Sequence, residues 1–245
     1  MMISRVRKRQ NTNFIFQWKN IFKLIFIVLF VVICYFVAEK LRQPIHFPIK
    51  QVKVYGVHNT DQQMIQTVLI PLVSKGFFRV DVEQIKEHVQ QSPWVSKAVV
   101  QRVWPDQVLI TLDERTPLAR WNKVSLLSTG GELFTPDIST YSDEIPQFIG
   151  PDGEHIHMMQ SYKKINSLLA PLHFKISRLE LTPSMSWILT FDNGIKVSAG
   201  YKDVLTHIGH FVKVYSKIVG DRAADVDYID LRYPNGLAVK WKSVT

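Results

Sequence analysis

Apolar residues run unbroken from Leu24 to Ala38 and reach back past Lys23 to Phe22 and Ile21. As a helix, residues 21–38 rise about 27 Å, close to the hydrocarbon thickness of a bilayer once interfacial residues are added. Leu24, Ile25, Phe26, Leu29, Phe30, Ile33 and Phe36 are the expected anchor residues; such side chains favour insertion by roughly 0.3–0.6 kcal/mol each at mid-bilayer. Lys23 lies near one end, where its stem can snorkel. A cleaved signal peptide has a core of about 7–15 residues and small residues before the cut. Here the bulky Phe36 fills a position that should be small, so the segment reads as an uncleaved anchor. Arg5, Arg7, Lys8, Arg9 and Lys19 precede it with no acidic residue, which places that tail in the cytoplasm and everything after Glu39 outside.

Beyond Gln43–Pro48, a proline-bearing linker, the pattern changes to that of a water-soluble fold. Lys50–Val57 alternates as a strand, with Val52 and Val54 on one face. Thr60 followed by Gln63 reads as a capping box, and Ile65, Val68, Leu69 and Leu72 form one helix face that Pro71 should end or kink. Asp81 with Gln84 opens a second helix, faced by Val82, Ile85 and Val89 and stopped by Pro93. Val95–Trp104 and Gln107–Glu114 are strands turned at Pro105-Asp106, the second alternating cleanly through Val108, Ile110 and Leu112. Strand–helix–helix–strand–strand predicts a three-stranded sheet covered by two helices.

A second unit begins near Pro117. Short strands are expected at Leu118–Trp121, Val124–Leu127 and Leu133–Phe134, then a loop through Pro136, Pro146, Pro151 and Gly153. A helix at His157–Leu169 precedes strands at Ile176–Leu181, Ser186–Phe191 and Ile195–Ser198, with Asp192-Asn193-Gly194 as a hairpin turn. Val204, Ile208, Phe211, Tyr215 and Ile218 form the core stripe of a longer helix that ends at Gly220. Val226–Tyr233 and Leu237–Trp241 close the unit around Pro234-Asn235-Gly236, where Gly236 is expected at positive φ.

Charge sharpens the topology. Of the 30 Lys and Arg, six lie in residues 1–23, which leaves 24 against 21 Asp and Glu, a net of +3 outside the leader. The basic balance therefore belongs to the membrane-facing tail and implies no nucleic-acid groove. The single cysteine, Cys34, sits within the anchor, so the outer part is held by packing with no disulfide.

Two runs carry a family resemblance. The first extends from Trp94-Val95 through Arg102-Val103-Trp104-Pro105-Asp106 to Asp113-Glu114-Arg115-Thr116-Pro117-Leu118-Ala119-Arg120-Trp121. The second is Asp227-Tyr228-Ile229-Asp230-Leu231-Arg232-Tyr233-Pro234-Asn235-Gly236-Leu237-Ala238-Val239-Lys240-Trp241. With the anchor and the strand–helix–helix pattern, the chain resembles the bacterial FtsQ/DivIB division family. The resemblance implies an α+β architecture: a single N-terminal transmembrane helix, a polypeptide-transport-associated (POTRA) domain of order β-α-α-β-β, and a mixed β-sheet domain with two helices. The expected boundaries are 1–20 for the cytoplasmic tail, 21–38 for the membrane helix, 39–48 for the linker, 49–116 for POTRA and 117–245 for the β domain. It further implies an inner-membrane, single-pass type II protein with periplasmic domains at the division septum. Its implied role is a scaffold that joins FtsB, FtsL and other divisome proteins.

The expected contact is strand addition at the last strand, whose free N–H and C=O groups are a template for another chain. Leu237, Val239 and Trp241 share one face there, with Ala238 and Lys240 on the other; Ile229, Leu231 and Tyr233 oppose Tyr228, Asp230 and Arg232. Tyr228, Arg232, Tyr233, Asn235, Gly236, Leu237, Val239 and Trp241 are the candidate partner-binding residues, and Lys240 and Lys242 read as solvated charges. Val57 and the turn after it could present a second docking face or be a plain sheet-to-helix connection. Enzyme readings find little support. His155 with His157, and His207 with His210, lack a metal-ligand motif, and Asp221, Asp225 and Asp227 read as a solvated loop. No catalytic residue, metal, cofactor, small-molecule substrate or nucleic acid is expected. The competing reading is a POTRA-bearing chaperone or secretion and assembly factor of the envelope; that class usually carries repeated modules or a barrel, and neither pattern is present.

Overall fold

The structure is a computed structural model that describes residues 12–41, 45–137, 145–233 and 236–242. The chain divides into two compact units: residues 1–57, 61–89 and 98–112 in one, and 58–60, 90–97 and 113–245 in the other. The basic leader up to Asn11, together with Pro44, Pro234 and Asn235, lies outside the described residues.

Helix α1 spans Thr12–Leu41, 30 residues, and so begins ahead of the expected Ile21. No Pro or Gly interrupts 12–41, and nothing in that composition breaks a helix before the apolar run begins. Its stretch Asn20–Lys40 is long and apolar enough to cross a membrane and has none of its surface buried. Leu24, Ile25, Phe26, Leu29, Phe30, Ile33 and Phe36 are each more than half exposed. Seven large apolar side chains in one open helix suit lipid as solvent, and the chain reads as a single-pass membrane protein.

The rest of the first unit holds β1 (Gln51–Tyr55), α2 (Gln62–Val73), α3 (Val82–Gln90), β2 (Val95–Val103) and β3 (Gln107–Glu114), with the end of α3, the start of β2 and the end of β3 counted in the second unit. The sheet order is β1-β3-β2, and β1 runs parallel to β3 from Gln51↔Gln107 to Tyr55↔Thr111. The central strand buries Val108, Ile110 and Leu112, while α2 and α3 bury Ile65, Leu69, Leu72, Ile85 and Val89, so the alternation and the helical stripes converge on one core. Two expectations change. The N-cap of α2 is Asp61, whose carboxylate accepts from the Gln63 N–H at 2.8 Å, one residue later than Thr60. Pro71 sits within α2 without stopping it: the Ser74 N–H still reaches the Ile70 carbonyl at 3.2 Å. Asp81 caps α3 as expected, accepting from Glu83 and Gln84 N–H groups.

The second unit is built on β4 (Pro117–Trp121), β5 (Ser125–Ser128), β6 (Leu133–Phe134), β7 (Gln147–Ile149), α4 (His155–Leu169), β8 (Ile176–Leu181), β9 (Trp187–Phe191), β10 (Lys196–Gly200), α5 (Val204–Ile218), β11 (Val226–Asp230) and β12 (Ala238–Trp241). Their order in one nine-stranded sheet is β12-β11-β10-β9-β8-β7-β4-β5-β6. The parallel neighbours are β7 with β4 and β8, and β10 with β11. Parallel pairing of successive strands requires a crossover; α4 supplies it between β7 and β8, and α5 between β10 and β11. Strand β7 falls in the stretch expected as loop. Three residues between two prolines give too short a pattern to reveal alternation, yet Phe148 is fully buried. The core stripe of α5 is Ile208, Phe211 and Tyr215, continued by Val219; the expected Ile218 is exposed instead. A helix of 3.6 residues per turn carries the stripe from Tyr215 to 219, four residues on, rather than three.

Glu114 and Arg115, part of the first resemblance run, hold backbone in place. The Glu114 carboxylate accepts from the N–H groups of His58 (3.0 Å), Asn59 (2.8 Å) and Thr60 (3.0 Å) and from the Thr60 hydroxyl (2.6 Å). Burial pushes its pKa up, but the Thr60 hydroxyl and the three N–H donors outweigh burial and hold it below the usual glutamate value. Arg115 donates to the Pro93 and Val95 carbonyls and pairs with Glu132 at 2.7 Å.

Candidate partner-binding edge

Strand β12 is the terminal strand of the nine-stranded sheet. It pairs antiparallel with β11 through Val226↔Trp241, Tyr228↔Lys240, Ile229↔Val239 and Asp230↔Ala238, with an irregularity between Val226 and Tyr228. Beyond Trp241 the Lys242 N–H extends the contact to the Asp225 carbonyl at 2.7 Å. Successive N–H groups of a strand point to opposite sides, so half of those on β12 face away from β11 with no strand to receive them among the described residues.

Alternation sets what the edge presents. Leu237, Val239 and Trp241 are half-buried against the core, while Ala238 and Lys240 are exposed. The Arg222 guanidinium lies 4.3 Å from the centre of the Trp241 ring, a cation–π contact that holds the indole near the end of the strand. On the neighbouring strand and its extension, Ile229 and Leu231 are buried, Tyr228 is half-buried, and Tyr233 is 55% exposed.

The charged residues there have partners in the chain. Arg232 donates from Nε and Nη2 to the Asp230 carboxylate at 2.9 and 2.6 Å. That hydrogen bond holds Asp230 below its ordinary pKa despite the opposing effect of burial, and raises Arg232 above its own. Gly200 has φ +77, a conformation that strains other residues, and a Cβ there would crowd the Arg232 side chain at 3.2 Å. Lys240 reaches Asp227 at 2.8 Å, which lowers the Asp227 pKa, and Lys242 donates to the Ala224 carbonyl; both lysines are exposed, each with a contact inside the chain. Lysines on a short edge strand also discourage indiscriminate pairing.

At Gly236 open space surrounds the place a Cβ would occupy; the expectation of a positive φ there rests on a turn that lies outside the described residues. Asn235 lies outside the described residues. Sequence reasoning missed a neighbour: a groove of about 290 Å³ runs between α5 and the edge, lined by His207, His210, Phe211, Lys213, Val214, Leu231, Tyr233, Gly236 and Leu237. A signal existed in the polar residues His207, His210 and Lys213 that recur along α5 at helical spacing beside its core stripe, but only the tertiary fold brings them to the hairpin. His207 uses Nδ1 on the Ala199 carbonyl at 3.1 Å. Among the described residues no three His, Cys, Asp or Glu side chains gather as metal ligands.

Comparison with known protein families matches residues 47–115 to the POTRA domain, FtsQ-type, and residues 119–232 to cell division protein FtsQ/DivIB, C-terminal. Among similar curated proteins, the cell division protein FtsQ of Shewanella oneidensis is 32% identical over 240 residues, covering 97% of this chain and 90% of its own. That of Vibrio cholerae is 34% identical over 79% of this chain and 75% of its own. That of Coxiella burnetii is 30% identical over 83% and 84%. The anchor, the strand–helix–helix–strand–strand unit and the terminal sheet edge are thus found in a chain that belongs to the FtsQ/DivIB family of cell division proteins.

Proposed function

We propose that this protein is a non-enzymatic scaffold of the divisome that binds FtsB and FtsL at the septum by strand addition to β12. In this reading α1 anchors it in the inner membrane with the basic tail in the cytoplasm and the POTRA (49–116) and β (117–245) domains in the periplasm. The observation that carries the reading is the place of β12 at the end of its sheet, with open backbone groups beside an exposed tyrosine and an apolar groove. A partner strand takes main-chain hydrogen bonds from β12, while a segment continuing from it lies in the groove against α5. Tyr233 and Trp241 serve as aromatic anchors; Tyr228, Arg232, Asn235, Gly236, Leu237 and Val239 complete the contact. Arg232 needs no reorganisation to take part, because Asp230 already fixes its guanidinium.

The test is binding of the periplasmic segment of FtsB to the full chain in lipid nanodiscs, with proline placed in turn at Ala238 and Val239. One of these two N–H groups faces the open side and the other faces β11. The reading expects the open-side proline to abolish capture while the melting midpoint stays put. Undiminished binding by both prolines, in folded protein, overturns it. In cells, depletion should give filaments with unconstricted septal sites that wild-type protein rescues and the open-side proline does not.

A further inference from the structure

The first unit carries a second exposed apolar feature that the edge-binding reading does not use. Phe47, Phe77, Phe78 and Trp104 form one aromatic cluster: Phe47 lies 5.1 Å from Phe78 and 5.6 Å from Trp104, and Phe77 lies 5.5 Å from Trp104, centroid to centroid. Only Phe77 is buried; Phe78 is 44% and Trp104 61% exposed. The Phe77 N–H bonds the Phe47 carbonyl at 2.9 Å, which ties the segment after the anchor to the loop between α2 and α3.

Chain length fixes where this cluster can be. Leu41 ends α1 and Phe47 follows six residues later, a contour of at most about 20 Å. Arg79, directly after Phe78, pairs with Glu39 near the C-terminal end of α1. A cluster so tethered cannot leave the neighbourhood of the bilayer surface. The segments that bear it, residues 45–55, 71–80 and 98–105, contain Lys50, Lys53, Lys75, Arg79 and Arg102; Asp81 and Asp106 follow directly, Asp106 pairing with Lys50 at 3.2 Å, so basic residues outnumber acidic ones around the rings. Amphipathic rings with cations around them match the layer where acyl chains meet phosphate, the layer that tryptophan and aromatic belts occupy in spanning proteins.

We propose that Phe47, Phe78 and Trp104 seat in the phospholipid headgroup layer of the bilayer that α1 crosses, so that the first unit rests on the membrane at this point. The proposal rests on reading α1 as the anchor. It gives the cluster a lipid occupant and sets the orientation of the first unit with two attachments, helix and aromatic foot, where the helix alone would leave it free to pivot.

The experiment uses the full chain with Cys34→Ser, reconstituted in phosphatidylethanolamine–phosphatidylglycerol vesicles and spin-labelled at one introduced cysteine. Phe78→Cys and, as a second site that leaves the rings intact, Val103→Cys report on the cluster; Ile70→Cys, exposed on α2, reports on water; Leu29→Cys reports on the anchor. At Phe78 and Val103 the ratio of collisions with oxygen to collisions with a water-soluble nickel chelate should exceed that at Ile70 several-fold. Combining Phe47→Ser with Trp104→Ser should lower it towards the Ile70 value. Ratios equal to that of Ile70 with Leu29 still in hydrocarbon overturn the inference and leave the anchor standing. A water-exposed Leu29 overturns the anchor and the inference together. Spin–spin broadening at Phe78 would assign the patch to a second copy of the chain and overturn the lipid reading.

Discussion

Two open sheet edges, β1 in the first unit and β12 in the second, look alike as backbone and differ in what surrounds them. Among the described residues, strand β1 is five residues long, pairs only with β3, and borders an apolar hollow of about 210 Å³ lined by Val52, Val54, Leu69, Ile70 and Val73 among others. Strand β12 is four residues long and among the same residues pairs only with β11, but beside it stand Tyr233, a cation-capped Trp241, a fixed Arg232 and the larger α5 groove. Unpaired backbone groups alone therefore do not choose a docking site. At β12 an exposed tyrosine, a tryptophan and an arginine stand together, residue types that bind strongly when desolvated, whereas β1 offers one exposed tyrosine, Tyr55, beside aliphatic residues.

The largest expected effect is on β12 itself. Proline at its open-side N–H should cost FtsB capture more than a hundredfold, about 3 kcal/mol, as read by titration calorimetry; an open-side proline on β1 should leave that affinity unchanged. If the β1 variant loses FtsB instead, the two edges have been assigned the wrong way round.

Next comes Gly56, which ends β1 at φ +81 with the space for a Cβ already taken by the Leu112 carbonyl oxygen. Gly56→Ala should destabilise the first unit by about 3 kcal/mol, visible as an early thermal transition, with FtsB binding at β12 retained below it. Trp241→Ala and Tyr233→Ala should each weaken the complex by about 2 kcal/mol, roughly thirtyfold. The melting midpoint should fall more for Trp241, which is half-buried, than for Tyr233.

A smaller effect is expected at Glu114. Its folded pKa lies below the unfolded value, so its carboxylate stabilises the fold above the unfolded pKa and loses that contribution as pH falls through the folded one. Glu114→Gln should lower the midpoint at pH 7 and converge with wild type in strong acid. The smallest change is Lys240→Ala. Its exposed pair with Asp227 should matter little to stability, while protection of the edge from self-association should weaken, as light scattering at high concentration would report.

The membrane helix, the apolar stripes of α2 and α3 and the alternation of β3 and β12 could all be read from residue order, because each rests on a local period. The elements that could not be read depend on partners far along the chain. Thr60 has the side chain of a cap, but Glu114 engages its hydroxyl and Asp61 caps α2. The edge residues were recognisable from the strand pattern, yet the groove that gives the edge a shape needs α5 to cross back over the sheet, which no local period encodes.

Strand β7 has a mechanical consequence. Among the described residues it is the only strand that joins β4, β5 and β6 to the remaining strands, and it is three residues long with Phe148 sealed at its centre. Were it to let go, one continuous sheet would become two, and four raw margins would stand where there are now two. Tension applied at β12 and carried by the sheet's hydrogen bonds crosses this narrow rung to reach β4, with the shared core around Trp121 and α4 as the path beside it. The weakest hydrogen-bonded link of the sheet thus lies far from the margin where a load would be applied.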